Sequence, residues 1–338
     1  MRIYRKSIEA KAKVLNRKDV FQLNLIEKIE AAEKIAIAGH VRPDGDCVGS
    51  CMGLYNYIKD NYPSKDVNVY MEDIGNAFSY IARMDEVKHE YNGEVADLVI
   101  LLDVSDVARI GVIGELFEKS DNTICIDHHI SNPGLAKENV IEPQASAACQ
   151  VIYKLIDEEK ISKSVAEALY TGIIHDSGVF KYSSTSAETM NIAGKLMEKG
   201  IDFQSIIDDG FYAKSYVQNH ILGKALMESI LFFDGKCIFT VISQTDMEFY
   251  GVSSNDLGGI VEQLRLTEGV ECAIFLYETD HLTYKVSLRS KKYLDVNKVA
   301  GYFGGGGHVR AAGCVMKGTS HDVINNLAIR IEQDGING

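Results

Sequence analysis

KIAIAGHVRPDGDCVGS, residues 34–50, joins a short apolar run to a polar loop and then to a stretch with helical spacing. KIAIAG ends in glycine, as a buried strand does where the chain must turn. Residues 48–61 follow with Met52, Leu54, Tyr55 and Ile58 in a helical rhythm. The same alternation continues outward. VNVYM (67–71), DLVILLD (97–103) and TICID (123–127) read as further strands. Residues 20–33, 107–118, 147–159 and 163–174 read as helices. Strands alternating with helices predict a doubly wound, mainly parallel α/β sheet.

Beyond residue 185 the pattern changes. Residues 186–229 read mainly as helix and are expected to form a helical connector. ILFFDGKCIFTVIS (230–243) predicts a hairpin around Asp234-Gly235, and ECAIFLYET (271–279) with LTYKVSLRS (282–290) a second strand pair. Helices are expected over 255–266, 294–303 and 320–333. The expected organisation is therefore a domain over 1–185, the connector, and a smaller α/β (α+β) domain over 230–338.

Composition bounds the function. The 338 residues are 46% hydrophobic and 25% charged, which suits a globular chain with a real core. A net charge of -13 argues against a long grip on duplex DNA. Seven cysteines without a C-x-x-C pair read as buried thiols of a reducing compartment. The opening MRIYRKSIEAKAKV has no signal-peptide core, and no run approaches the ~20 apolar residues of a membrane span. A soluble cytoplasmic protein is expected.

Four segments place unusual polar residues directly after apolar runs: His40, Asp44 and Asp46; Asp103; Asp127, His128 and His129; and His175 with Asp176. Three of them leave the carboxyl ends of predicted strands, where open α/β sheets bind ligands. Gly45 permits the tight path that aims Asp44 and Asp46 inward. So many carboxylates in one place repel each other without a counter-charge. Divalent cations supply it, and a carboxylate and imidazole set without cysteine suits manganese or magnesium. A central carboxylate could bridge two ions ~3.5–4 Å apart, an arrangement that makes hydroxide available near neutral pH. Any one of these residues alone reads as a turn, a helix cap or a packed histidine. Four segments in order favour a metal site.

A fifth segment, FGGGGHVRAAGC (303–314), exposes backbone N–H groups beside His308 and Arg310. Arg289, Ser290, Lys291 and Lys292 precede it. Glycine, histidine and arginine together favour a phosphate cradle over a plain glycine turn.

HVRPDGD, LLDVSD, DHH and HDSG resemble the four motifs of the DHH phosphoesterase superfamily, and GGGGHVRAAG resembles the glycine-rich motif of its DHH-associated C-terminal domain. The likeness runs from about residue 20 to the end, and its layout is similar to the bifunctional oligoribonuclease and 3′-phosphoadenosine-5′-phosphate phosphatase subgroup. It implies two Mn2+ ions, with Mg2+ as a substitute. His40 and Asp44 would hold one ion, and Asp46, His128 and Asp176 the other. Asp103 would bridge both, His129 would face the substrate phosphate, and Asp127 would orient a neighbouring histidine from behind. Arg289, Ser290 and His308 would bind the nucleotide, with Gly305 and Gly306 giving access. His175 departs from the pattern, standing where many relatives carry threonine.

The implied activity is metal-dependent, in-line hydrolysis of short oligonucleotides to mononucleotides, and of 3′-phosphoadenosine-5′-phosphate to AMP. The implied partners are short RNA or dinucleotides, without duplex DNA or membrane, and a homodimer is compatible with the pattern. A cyclic-di-AMP or linear dinucleotide (pApA) phosphodiesterase shares all five motifs. A RecJ-type exonuclease should be longer, and a family II pyrophosphatase lacks a GGGGH loop. A catalytically inactive nucleotide-binding regulator predicts gaps among the ligands, and every ligand position here is filled.

Overall fold

The computed structural model describes residues 13–15, 24–76 and 78–336, and the chain divides into two compact units, Met1–Ala213 and Lys214–Gly338. The first unit is built on six parallel strands: β1 (Lys13–Leu15), β2 (Lys34–Ala38), β3 (Asp66–Tyr70), β4 (Leu98–Leu102), β5 (Thr123–Asp127) and β6 (Glu138–Ile141). Their order across the sheet is β1-β6-β5-β4-β2-β3. The chain steps outward from β2 to β3, then crosses to β4 on the other side of β2. The order reverses there, so the switch point of the sheet lies between β2 and β4.

Alternate residues of β2, β4 and β5 enter different cores. Ile35, Ile37, Ile100, Leu102, Ile124 and Ile126 pack on one face, and Ala36, Ala38, Val99, Leu101 and Cys125 on the other. Burial on both faces explains the nearly unbroken apolar runs that the sequence shows. Helices α1 (Leu25–Ala31), α2 (Gly45–Asn61), α3 (Gly114–Lys119), α4 (Ala148–Leu155), α5 (Lys163–Ser177), α6 (Ala187–Glu198) and α7 (Phe203–Ile207) complete the unit. A π-turn over Asp208–Tyr212 ends it.

The expected helix over 107–118 is instead a short 3₁₀ turn, Val107–Arg109, followed by α3. The reason is local pairing: the amide of Val41 donates to the carbonyl of Arg109 at 2.9 Å, and His40 bridges to Ile110. Backbone so committed cannot continue a helix. Strands β1 and β6 have no counterpart in the sequence reading. Residues 20–23 of the expected first helix lie outside the described residues.

The second unit holds α8 (Tyr216–Met227), β7 (Ile230–Phe232), β8 (Cys237–Ile242), α9 (Gln244–Tyr250), α10 (Ile260–Arg265), β9 (Cys272–Asp280), β10 (Thr283–Ser290), α11 (Val296–Tyr302), β11 (Gly306–His308), β12 (Ala311–Lys317) and α12 (Ser320–Gln333). Its sheet runs β11-β12-β10-β9-β8-β7, parallel only between β8 and β9. The stretch expected to connect two domains splits: α6 and α7 belong to the first unit and α8 to the second. The glycine-rich segment, expected as a loop, forms β11 and pairs with β12.

Glycines let α2 and α5 approach closely. A Cβ on Gly49 would lie 2.5 Å from the Ala168 carbonyl, and one on Gly172 would lie 2.2 Å from Cys149 Sγ and 2.7 Å from Asp46 Oδ1. Gly172→Ala should therefore cost roughly 1–3 kcal/mol of unfolding free energy in urea titration. Gly114→Ala, at the open start of α3, should stay within about 0.5 kcal/mol of the parent.

Candidate metal centre

Three strand ends deliver the site. His40 follows β2 after Gly39, whose missing Cβ leaves room for Cys47 Sγ, 2.1 Å from where it would stand. Asp103 follows β4 in the left-handed region, with φ 58°, and its amide donates to the Ile126 carbonyl at 3.0 Å. A buried aspartate with that backbone stores strain, a feature that concentrates at functional sites. Asp127 closes β5.

Helix starts hold the carboxylates. Asp44 caps α2, its Oδ1 accepting from the amides of Asp46 and Cys47 at 3.2 and 3.1 Å. Asp46 accepts from the amides of Ala148 and Cys149, the first residues of α4, at 2.5 and 3.0 Å. Unpaired N–H groups and the helix dipole favour anions there. Asp176 comes from the last turn of α5.

The side chains meet around Asp103. Its Oδ2 lies 3.4 Å from His40 Nε2, and its Oδ1 lies 3.6 Å from His128 Nε2 and 3.4 Å from His129 Nδ1. His40 Nε2 is also 3.6 Å from Asp44, and His128 Nε2 is 3.7 Å from Asp46 and 3.1 Å from Asp176. The two oxygens of one carboxylate thus face two separate groups: His40 with Asp44, and His128 with Asp46 and Asp176. The donor atoms of His40, Asp44 and Asp103 lie within 4.8 Å of one another, as do those of Asp46, His128 and Asp176, and those of Asp103, Asp127, His128 and His129.

Whether cations fit can be tested on the atoms left over. Asp103 Oδ1 and His128 Nε2 are buried and make no hydrogen bond among the described residues. Among the described residues, no Lys or Arg forms an ion pair with Asp44, Asp46, Asp103 or Asp176. Buried charge without pairing is costly, and protons fill the gap. Burial, with the neighbouring charges of Asp103 and Asp176, pushes the Asp46 carboxyl well above the usual range. Burial opposes a charge on His40, but contacts with Asp103 and Asp44 prevail and push it up from 6.5 to about 11. His128 rises against burial to about 10, through Asp176 and Asp46. Oxygen and imidazole donors of this kind suit hard divalent cations, so the residues fit.

Asp127 stands apart from these groups in role. It accepts from the amides of His128 and His129 and from the His129 ring, at 2.8, 3.3 and 2.8 Å, and from Asn132 at 2.6 Å. It is fully buried and orients His129, whose Nε2 carries no hydrogen bond among the described residues. His175 Nε2 donates to the Gly210 carbonyl at 3.2 Å, and its ring fills the space that a side chain at Gly45 would need. Burial lowers the pKa of His175. Sequence reasoning missed Asn132 and Arg109, whose Nη2 lies 3.0 Å from His40 Nδ1. Both stand within a few residues of quoted motifs, but only their contacts distinguish them from other loop residues.

The residues expected to bind substrate in the second unit are arranged differently. Arg289 Nε donates to Glu262 at 2.6 Å, and the buried Ser290 hydroxyl donates to the Leu294 carbonyl at 2.7 Å. Gly305, Gly306 and His308 are exposed. A Cβ on Gly305 would stand 2.2 Å from the Gly313 carbonyl, so this glycine is needed by the hairpin itself.

Residues 34–173 match the DHH family, N-terminal domain, and residues 234–333 match the DHHA1 domain. The chain is 30% identical to the probable bifunctional oligoribonuclease and PAP phosphatase NrnA of Streptococcus mutans, over 86% of this chain and 91% of that protein. It is also 30% identical to the bifunctional oligoribonuclease and PAP phosphatase NrnA of Thermus thermophilus, over 88% of each. Similarity to the cyclic-di-AMP phosphodiesterase PdeA of Listeria monocytogenes is 26%, spanning 89% of this chain but 47% of that protein. An exopolyphosphatase-related protein of Bacteroides fragilis has a similar structure, with TM-score 0.82, 26% identity, and coverage of 96% of this chain and 98% of that one. The chain belongs to the DHH family of phosphoesterases. Among the described residues, no helix is long and apolar enough to cross a membrane.

A pKa raised on folding stabilises the folded state through its proton, fully below the unfolded value and less as pH climbs through the folded one. For His40 and His128 that window runs from 6.5 to about 10–11. At pH 8, cation uptake must therefore expel protons. Calorimetric heats of Mn2+ binding should change with the ionisation enthalpy of the buffer, and apparent affinity should rise from pH 6.5 to 9. Heats independent of buffer would contradict this.

Proposed function

We propose that this chain is a manganese-dependent phosphoesterase that hydrolyses short oligoribonucleotides to mononucleotides and 3′-phosphoadenosine-5′-phosphate to AMP. The observation that carries the reading is Asp103, buried between two acid and imidazole groups with an oxygen turned to each. The names of the relatives in Streptococcus mutans and Thermus thermophilus support the choice of substrate.

His40 and Asp44 would hold one cation, Asp46, His128 and Asp176 the other, with Asp103 shared. Bound there, two divalent cations supply positive charge to phosphoryl oxygens and acidify water. The protein's own contribution is preorganisation. The α2 and α4 amides fix Asp44 and Asp46 before substrate arrives. Asp127 holds His129 by its Nδ1, leaving Nε2 to approach or protonate a phosphoryl or leaving oxygen. In the second unit, the exposed His308 and the open backbone at Gly305 and Gly306 would take the nucleotide, with Arg289 and Ser290 bracing that hairpin through Glu262 and Leu294. All seven cysteines are buried free thiols, which supports a reducing cytoplasm as the setting.

The test is a substrate panel with Mn2+: short RNA, short DNA, 3′-phosphoadenosine-5′-phosphate, cyclic-di-AMP and pApA. Short RNA and 3′-phosphoadenosine-5′-phosphate should turn over best. Asp103→Asn should lower kcat/KM for both by roughly 10²–10³-fold or more. Preference for cyclic-di-AMP would redirect the assignment, and activity untouched in the variant would end it. His308→Ala should raise KM for RNA several-fold while kcat on bis-p-nitrophenyl phosphate stays at the parental value, a split visible in steady-state kinetics.

A further inference from the structure

Each of the two histidines on either side of Asp103 has a backbone carbonyl behind it, and one has a guanidinium there as well. His128 Nδ1 lies 3.2 Å from the Ala145 carbonyl. Donating there leaves the Nε2 lone pair aimed at Asp46, Asp103 and Asp176. Carbonyl or carboxylate partners of this kind raise the basicity of a metal-holding imidazole.

His40 Nδ1 has two rival neighbours. The Val41 carbonyl lies at 2.8 Å and the Arg109 guanidinium at 3.0 Å. One ring nitrogen cannot donate to a carbonyl and accept from a guanidinium at the same time. Donating to Val41 frees Nε2 for a cation but turns an N–H against a positive group. Accepting from Arg109 places the ring hydrogen on Nε2, between Asp44 and Asp103, where a cation would sit. Arg109 therefore opposes occupancy by competition and by charge.

The contact is built into the fold. The Arg109 amide donates to the Asp106 carbonyl and its carbonyl accepts from Val41, each at 2.9 Å. No carboxylate forms an ion pair with its guanidinium among the described residues, and the nearby Asp106 Oδ1 accepts from the Ala108 amide at 2.9 Å. Water access adds to the asymmetry: the Asp44 side chain is 58% exposed and that of Asp46 is 0% exposed.

We infer, on the cation-binding reading above, that the two positions are unequal: the His128 position binds tightly, and the His40 position is weak and exchangeable because Arg109 holds it so. Occupancy of the weak position, and activity with it, then follows the free cation concentration.

Calorimetric titration of the metal-free full chain with Mn2+ alone tests this without turnover. The parent should show two classes of site. Asp44→Asn should lose the weak class and keep the tight one, and Asp176→Asn the reverse. Arg109→Gln should tighten the weak class roughly tenfold and leave the tight class in place. Arg109→Lys, which keeps the charge, should hold the weak class weak and shows that the loop tolerates substitution. A single class of equal sites, or a weak class unchanged or loosened in Arg109→Gln, overturns the inference. A parent that binds no Mn2+ sinks both this inference and the cation-dependent reading, whereas equal tight sites sink this one alone.

Discussion

Burying Asp46 and Asp103 against His128 without a Lys or Arg partner among the described residues is the constraint that the rest of the first unit answers to. Acids so close to one another are tolerated only where other groups share their charge. Helix amides take part of it at the starts of α2 and α4, and imidazoles take another part. What remains unmet is one oxygen of Asp103 and one nitrogen of His128, pointing at each other's side of the centre. Divalent cations resolve that deficit more completely than protons do, since they can engage several donors at once.

This need reaches into the packing. Asp46 accepts from the start of α4 while sitting in α2, and α5 carries Asp176, so three helices must converge within a narrow space. Gly49, Gly53 and Gly172 let their backbones close in. Gly45 meets the same demand at the mouth of the site, where the His175 ring takes the volume of its absent side chain. The glycines of HVRPDGDCVGS are thus as much part of the centre as its aspartates, because a methyl group at these points would displace a ligand or a helix.

In the second unit, glycine serves a hairpin. Gly305 and Gly307 face the backbone of β12 so closely that a Cβ would stand 2.2 Å from the Gly313 carbonyl and 2.4 Å from the Ala311 carbonyl. The chain keeps an exposed run, Gly304 to Arg310, braced by Arg310 donating to the carbonyls of Leu294 and Lys292. Arg289, expected from the family resemblance to bind the nucleotide, is tied to Glu262, and Ser290 to Leu294. Sequence composition reports which groups are present near a loop, and it cannot report which of them have already paired with one another.

Periodicity made the parallel sheet and its order of elements legible, because strands buried on both faces must be apolar almost throughout: KIAIA, LVILL and TICID each sit in the sheet as read. The acids and histidines at their ends were legible for the same reason, since polar residues stand out after such runs. Short strands such as β1 and β6, the turn at 107–109 and the pairing of β11 with β12 depend on partners far away in the chain, and no local pattern announces them. Residue types and spacing alone determined that this chain carries a carboxylate and imidazole set at strand ends. Only the tertiary structure decided how Asp103 divides its oxygens between two groups, and that Arg109 competes with a carbonyl behind His40 while His128 has the Ala145 carbonyl behind it, because those relations are set by strand order and helix approach rather than by neighbours in sequence.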